Sequence, residues 1–189
     1  MSMTYGIDEA GRGCLVGSVY AACVYLPPNF PTKQLNDSKK LSAKQRNELY
    51  HLIYASAMVG VGWASAQEID QLNILQATLL AMQRAYHNMS DQATLVLVDG
   101  NKAPNLPVPI RTIVKGDSIE PCIMAASIIA KVSRDAHMDT LHQMYPVYGF
   151  DQHKGYATKK HYQALQQHGA CPEHRRSFRL FSTENCLTF

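Results

Sequence analysis

Gly6-Ile7-Asp8-Glu9-Ala10-Gly11-Arg12-Gly13 sets two adjacent carboxylates at the end of a short apolar run and follows them with a glycine-rich turn that carries one arginine. Neighbouring side chains on an extended strand point to opposite faces, so Asp8 and Glu9 cannot both enter one core. One can point into a site at the strand end while the other reaches round from the turn. Without a cation, adjacent acids repel and raise each other's pKa. A hard divalent cation turns both into oxygen ligands. Gly11 and Gly13 let backbone approach a ligand closely, and Arg12 can fork onto a phosphate or hydroxyl oxygen. Taken alone, the octapeptide fits a solvated strand-to-turn connection equally well.

Working outward, residues 3–8 read as a first strand and residues 16–26, dense in strand formers, as a second. So short a link suits antiparallel neighbours. After Pro27, Pro28 and Pro31, Ser42 has the chemistry of a helix N-cap for residues 43–57, with Leu49, Leu52 and Ile53 on one face. Lys39 and Lys40 stand just before that helix, where they could grip a phosphate together with free backbone N–H groups; exposed loop lysines are the alternative. Residues 58–64 read as a third strand, with Trp63 and the nearby methionines assigned to the core. Residues 67–89 are helical in pattern, with a break near Asn73 and an apolar face of Leu72, Leu75, Leu79, Leu80, Met82 and Tyr86.

Residues 94–98 are apolar on both faces, the mark of a central parallel strand, and end in Asp99-Gly100. Open α/β sheets place their sites at such strand ends, although Asp-Gly is also a plain turn. A short strand at 110–114 precedes Lys115-Gly116-Asp117, and a long helix begins near Ile119; Asp117 is either its N-cap or a site acid. The small and branched residues of 125–132 suit a helix lying close on a sheet. Beyond Pro146 and Gly149 come an aromatic loop, a helix from Thr158 to about His168, and the basic segment His174-Arg175-Arg176-Ser177-Phe178.

A chain of 189 residues fits one domain with its own core. Cys14, Cys23, Cys122, Cys171 and Cys186 are scattered and odd in number, against zinc and against a disulfide framework, and consistent with a reducing cytoplasm. The apolar runs are too short for a bilayer, and no secretory signal pattern is present. Net charge is +3, carried by residues 151–189, where six basic side chains face three acidic ones. A basic end on a neutral body hints at a polyanionic partner; a solvated surface would look the same. If the first and fourth strands are neighbours, Asp8, Glu9, Asp99 and Asp117 converge. Four oxygen donors without histidine or cysteine favour Mg²⁺ or Mn²⁺ over zinc, and a pair of such ions suits phosphodiester cleavage.

Seven blocks in order resemble the type 2 ribonuclease H family, specifically bacterial ribonuclease HII. They are residues 6–13, Asp37-Ser38-Lys39-Lys40-Leu41, Val98-Asp99-Gly100, Lys115-Gly116-Asp117, residues 125–135, His153-Lys154-Gly155-Tyr156 and residues 174–178. The resemblance implies an α/β, ribonuclease H-like fold: a mixed five-stranded sheet flanked by helices, with a C-terminal helical extension. It implies one catalytic domain over 1–189, in which 145–189 form a basic extension that helps bind substrate. The implied activity is hydrolysis of the RNA strand of RNA–DNA hybrids and nicking 5′ of single ribonucleotides in duplex DNA, leaving 3′-hydroxyl and 5′-phosphate ends. Asp8, Glu9, Asp99 and Asp117 match the family's catalytic, metal-binding acids, holding Mn²⁺ or Mg²⁺, two per active site. Gly11, Arg12 and Gly13 match the segment that contacts the ribose 2′-hydroxyl, which separates RNA from DNA, and Tyr156 matches the tyrosine that stacks at the RNA–DNA junction. Lys39, Lys40, Lys154 and Ser177 are assigned to phosphates. Asp135, further along the same helical block, is assigned to structure.

Cys14 and Ser18 stand where the family usually has prolines, and Ala157 where it usually has glycine; none removes a ligand, but loop stiffness is affected. The expected partners are hybrid and ribonucleotide-containing duplex. Nothing demands more than a monomer, no membrane is implied, and a sliding clamp meeting the C-terminal Leu180-Phe181 or residues 187–189 is left open. A non-catalytic hybrid-binding module would tolerate loss of an acid, and a junction resolvase would lack the Gly-Arg-Gly turn and the tyrosine loop.

Overall fold

A computed structural model describes residues 3–36, 38 and 41–181. The phosphate assignments of Lys39 and Lys40, and the clamp contact at 187–189, lie outside the described residues. The strands are β1 (Thr4–Ala10), β2 (Val19–Tyr25), β3 (Met58–Ala64), β4 (Leu95–Asp99) and β5 (Ile110–Ile113). They form one sheet in the order β3-β2-β1-β4-β5. The first three are antiparallel, the β1–β2 pair through a short link and the β2–β3 pair through a connection that carries a helix, while β1–β4 and β4–β5 are parallel. The parallel register pairs Ile7 with Val98, so Asp8 and Asp99 leave the sheet at the same edge. The sheet is the mixed five-stranded one expected, flanked by helices.

The helices are α1 (Ala43–Ser56), α2 (Ala66–Leu72), α3 (Ile74–His87), α4 (Pro121–Met144), α5 (Phe150–His153) and α6 (Lys159–His168). Strand alternation sends Tyr5 and Ile7 to a core shared with α2 and α3, which includes Ile69, Ala81, Met82 and Ala85. It sends Ala10, Ala22 and Val24 to a second core under α1 and α4, with Ile53, Ala126 and Ile129. The small residues of α4 let it lie directly on β1. A Cβ on Gly6 would sit 2.3 Å from the Cys122 carbonyl carbon, so only glycine permits that crossing. A third cluster of Val16, Met138, Leu141, Tyr148 and Phe150 fastens the region after α4 onto that helix's C-terminal half.

Three sequence expectations shift. The second strand starts at Val19 rather than 16, because Gly17 turns with φ +78°; Val16 instead bridges antiparallel to His174. Trp63, assigned to the core, is 51% exposed: it lies near the end of the edge strand β3, stacked on Tyr20 at 5.9 Å. Leu72, assigned to an apolar face, is also exposed. The break at Asn73 (φ +68°) separates two helices, so the phase of α3 does not carry back to Leu72. Asn73 Oδ1 accepts from the N–H groups of Leu75 and Gln76, capping α3. Ser42 caps α1 with a full capping box through Gln45.

Candidate active site

Asp8, Asp99 and Asp117 each offer a carboxylate oxygen within 4.8 Å of the others. Asp8 comes from β1, Asp99 from the end of β4, and Asp117 from a 3-10 turn at Gly116–Ser118. That turn is reached through Lys115 in the left-handed region (φ 59°). Asp117 is not the helix cap: Glu120 occupies that position, and Pro121 begins α4. The Asp99 Oδ1 accepts the Gly116 N–H at 2.7 Å, which locks the turn to the strand end. Asp8 accepts its neighbour Glu9's N–H at 2.7 Å and a hydrogen bond from the Ser127 hydroxyl on α4. Ser127 in turn meets the Ser38 hydroxyl at 2.7 Å.

Burial, then the charges of Glu9 and Asp99, push the Asp8 carboxyl well above its ordinary value. Three carboxylates gathered in this way, two of them (Asp8 and Asp117) buried, form an oxygen-only donor set that fits a hard divalent cation. Glu9 is not in the three-carboxylate group. It leaves β1 on the opposite face, and its Oε1 lies 3.2 Å from Arg12 Nη1. It nonetheless lines one cleft together with Asp99, Arg12 and Gly100, so it stands beside the cluster at its rim.

The glycine-rich turn is held from the far end of the chain. Arg175, fully buried, donates to three carbonyls: Nη2 to Gly11 at 2.8 Å, Nη1 to Arg12 at 2.9 Å and Nε to Gly17 at 2.9 Å. Desolvation pulls its guanidinium down to about 10, which leaves it charged at neutral pH. Gly11 has φ +93°, and a Cβ there would meet Arg134 Nε at 2.8 Å. Arg134 is also fully buried. It forms no hydrogen bond among the described residues, and its charge is met by Asp135 at 3.7 Å and by the Tyr156 ring at 5.6 Å. Asp135 itself takes Lys131 Nζ at 2.7 Å.

Tyr156 is 42% exposed, on the loop after α5. The other two sequence-assigned positions are occupied within the protein. Lys154 pairs with Asp139, and Ser177 gives both its hydroxyl and its N–H to Asp70. Sequence reasoning passed over Arg175 and Ser127 as functional positions, although both lie in the quoted blocks. Their role depends on which backbone and carboxylate atoms the fold brings to them. Among the described residues no helix is long and apolar enough to cross a membrane.

Comparison with known proteins agrees with this geometry. The chain is 57% identical over 175 residues to a ribonuclease HII of Shewanella halifaxensis, covering 92% of this chain and 86% of that one. The crystal structure of the ribonuclease H2 from Pyrococcus horikoshii superposes with a TM-score of 0.77 at 22% identity, covering 94% of each chain. The ribonuclease HII in a PCNA complex from Archaeoglobus fulgidus gives 0.73 at 25% identity, over 95% of this chain and 96% of that one. The family model described as ribonuclease HII matches residues 5–181, and the chain belongs to the ribonuclease HII family.

Proposed function

We propose that the activity of this family member, hydrolysis of RNA in RNA–DNA hybrids and at ribonucleotides in DNA, is carried by Asp8, Glu9, Asp99 and Asp117 holding two Mn²⁺ or Mg²⁺ ions. The observation that carries the reading is the approach of three carboxylates from separate elements to within 4.8 Å. Divalent cations bound by such a set supply Lewis-acid polarisation of the phosphate and a water acidified for attack. The protein's part is to keep the donors in place. Gly116 N–H orients Asp99, and Ser127 orients Asp8. The nick falls 5′ of the ribonucleotide and leaves a 3′-hydroxyl and a 5′-phosphate.

Ribose selection belongs to Gly11, Arg12 and Gly13. With the carbonyls of Gly11 and Arg12 committed to Arg175, the turn offers a 2′-hydroxyl its N–H groups. Tyr156, half exposed and backed by Arg134, presents a ring face to the sugar at the junction. Lys39, Lys40, Lys154 and Ser177 serve the phosphates, giving register and salt-dependent affinity. Residues 145–189 act with the rest as one catalytic domain and lend their positive charge to the substrate. The protein works as a cytoplasmic monomer. The Archaeoglobus protein forms a complex with PCNA; here Phe181 is exposed and Leu180 is buried, so Phe181 is the residue of that pair a sliding clamp could reach.

The test is cleavage of a labelled DNA duplex carrying one ribonucleotide, with Mg²⁺, with Mn²⁺ and with chelator. Metal-dependent nicking 5′ of the ribonucleotide is expected. Asp99→Asn should abolish it while hybrid binding persists, and residual turnover within about tenfold of the parent would remove Asp99 from the ligand set.

A further inference from the structure

Behind the tyrosine loop lies a hydrogen-bonded histidine chain with no assigned role. His161 on α6 and His174 in the C-terminal segment are buried, with their Nε2 atoms 3.0 Å apart. His174 Nδ1 accepts the Cys171 N–H at 3.0 Å. His161 Nδ1 faces the Tyr156 carbonyl, also at 3.0 Å. These end contacts settle the tautomers. A backbone N–H can only donate, so His174 Nδ1 carries no proton and its Nε2 does. A carbonyl can only accept, so His161 Nδ1 carries a proton and its Nε2 does not. Every bond then runs one way: Cys171 N–H to His174, His174 Nε2–H to His161, and His161 Nδ1–H to the Tyr156 carbonyl.

A third histidine braces the preceding residue. His153 stacks on His161 with ring centroids 4.5 Å apart, accepts the Gly155 N–H on Nδ1 and donates from Nε2 to the Tyr148 carbonyl. The same C-terminal segment reaches the ribose-reading turn. Arg175 follows His174 directly and pins the carbonyls of Gly11 and Arg12. Residues 15–17 tie the two ends together: the Leu15 N–H donates to the Gly155 carbonyl, and the Arg175 N–H donates to the Leu15 carbonyl.

We propose that His161 and His174 are specificity-positioning residues, a neutral two-histidine relay that sets the main chain of Tyr156 relative to the Gly11–Gly13 turn and so favours single-ribonucleotide junctions over long hybrids. The proposal rests on the reading of Tyr156 as the junction residue. Neither histidine touches substrate. Each acts through the Tyr156 carbonyl, so its effect should appear wherever Tyr156 matters and vanish where it does not.

The experiment measures kcat and KM on two substrates, a DNA duplex with one ribonucleotide and a long RNA–DNA hybrid, in Mn²⁺. His161→Leu should lose about tenfold in kcat/KM on the single ribonucleotide while staying within about threefold on the hybrid. His161→Asn keeps an amide N–H able to reach the Tyr156 carbonyl and should recover most of the loss; it also serves if the leucine variant fails to fold. In the Tyr156→Ala background, His161→Asn and His161→Leu should both add nothing, since coupled residues are non-additive. Equal loss on both substrates, or effects that multiply with Tyr156→Ala, would reduce the relay to a packing role and overturn the proposal. Should Tyr156→Ala alone damage both substrates equally, the reading of Tyr156 falls first and takes the relay with it.

Discussion

Arg175 spends its fork on three carbonyls that belong to a turn some 160 residues earlier in the chain, at sequence separations of 158, 163 and 164. A lysine has one ammonium and cannot span three acceptors whose directions are fixed. Arg175→Lys should therefore leave at least one buried carbonyl unpaired, at a cost of about 1–3 kcal/mol. Urea denaturation would measure that cost. Steady-state kinetics should show a raised KM for ribonucleotide-containing duplex beyond what the stability loss explains; an unchanged KM would mean the turn holds itself. At this scale the approach of Asp8, Asp99 and Asp117 was readable in the sequence, because neighbouring first and fourth strands bring their ends together, although each acid alone also fits a plain turn or a cap. Arg175 was not. Its neighbour Arg176 is equally basic, and only the fold distinguishes a cation buried under a turn from one left at the surface.

The elements were legible wherever one signal sufficed. Capping chemistry marked the starts of α1 and α6, and the doubly apolar run marked β4 as central. Misreadings came where tertiary context decides. Gly17 ended a strand that composition would have extended, and Trp63 looked like core although β3 is an edge strand. The crossing of α4 over β1 carries a prediction of its own. Gly6→Ala places a methyl 2.3 Å from helix backbone, which cannot rotate away. A loss of about 3 kcal/mol is expected from such overpacking. Because Ser127 rides on the same helix and bonds Asp8, cleavage should fall even at temperatures where the variant remains folded. Circular dichroism melts run beside single-turnover assays would separate the two effects.

For the molecule as a whole, the histidine chain makes stability depend on pH. Burial is the largest cause holding both His161 and His174 down at about 4, below the ordinary 6.5; neighbouring His153 and Arg176 lower His174 further. The unfolded chain takes up protons below about 6.5, whereas the folded one does not until about 4. Stability is therefore complete above 6.5 and is lost as pH falls towards 4. Asp8, raised in the metal-free protein, works in the opposite sense. The informative comparison is between the parent and His161→Leu, where the Asp8 contribution cancels. Thermal melts across pH 7.5 to 4.5 should show a shallower decline in the variant; parallel curves would mean the histidines titrate normally.

The hold of Arg175 on Gly11 and Arg12 also has a bearing on biosynthesis. A ribosome releases the glycine-rich turn some 160 residues before the arginine that clamps it. Until residue 175 has cleared the exit tunnel, the nascent chain carries its carboxylates but lacks the guanidinium that holds the turn proposed to read ribose. Any chain cut short between Asp117 and Arg175 would carry Asp8, Asp99 and Asp117 without that clamp. On the proposed reading of the turn, the order of synthesis makes selectivity wait for Arg175, well after the acids have been made.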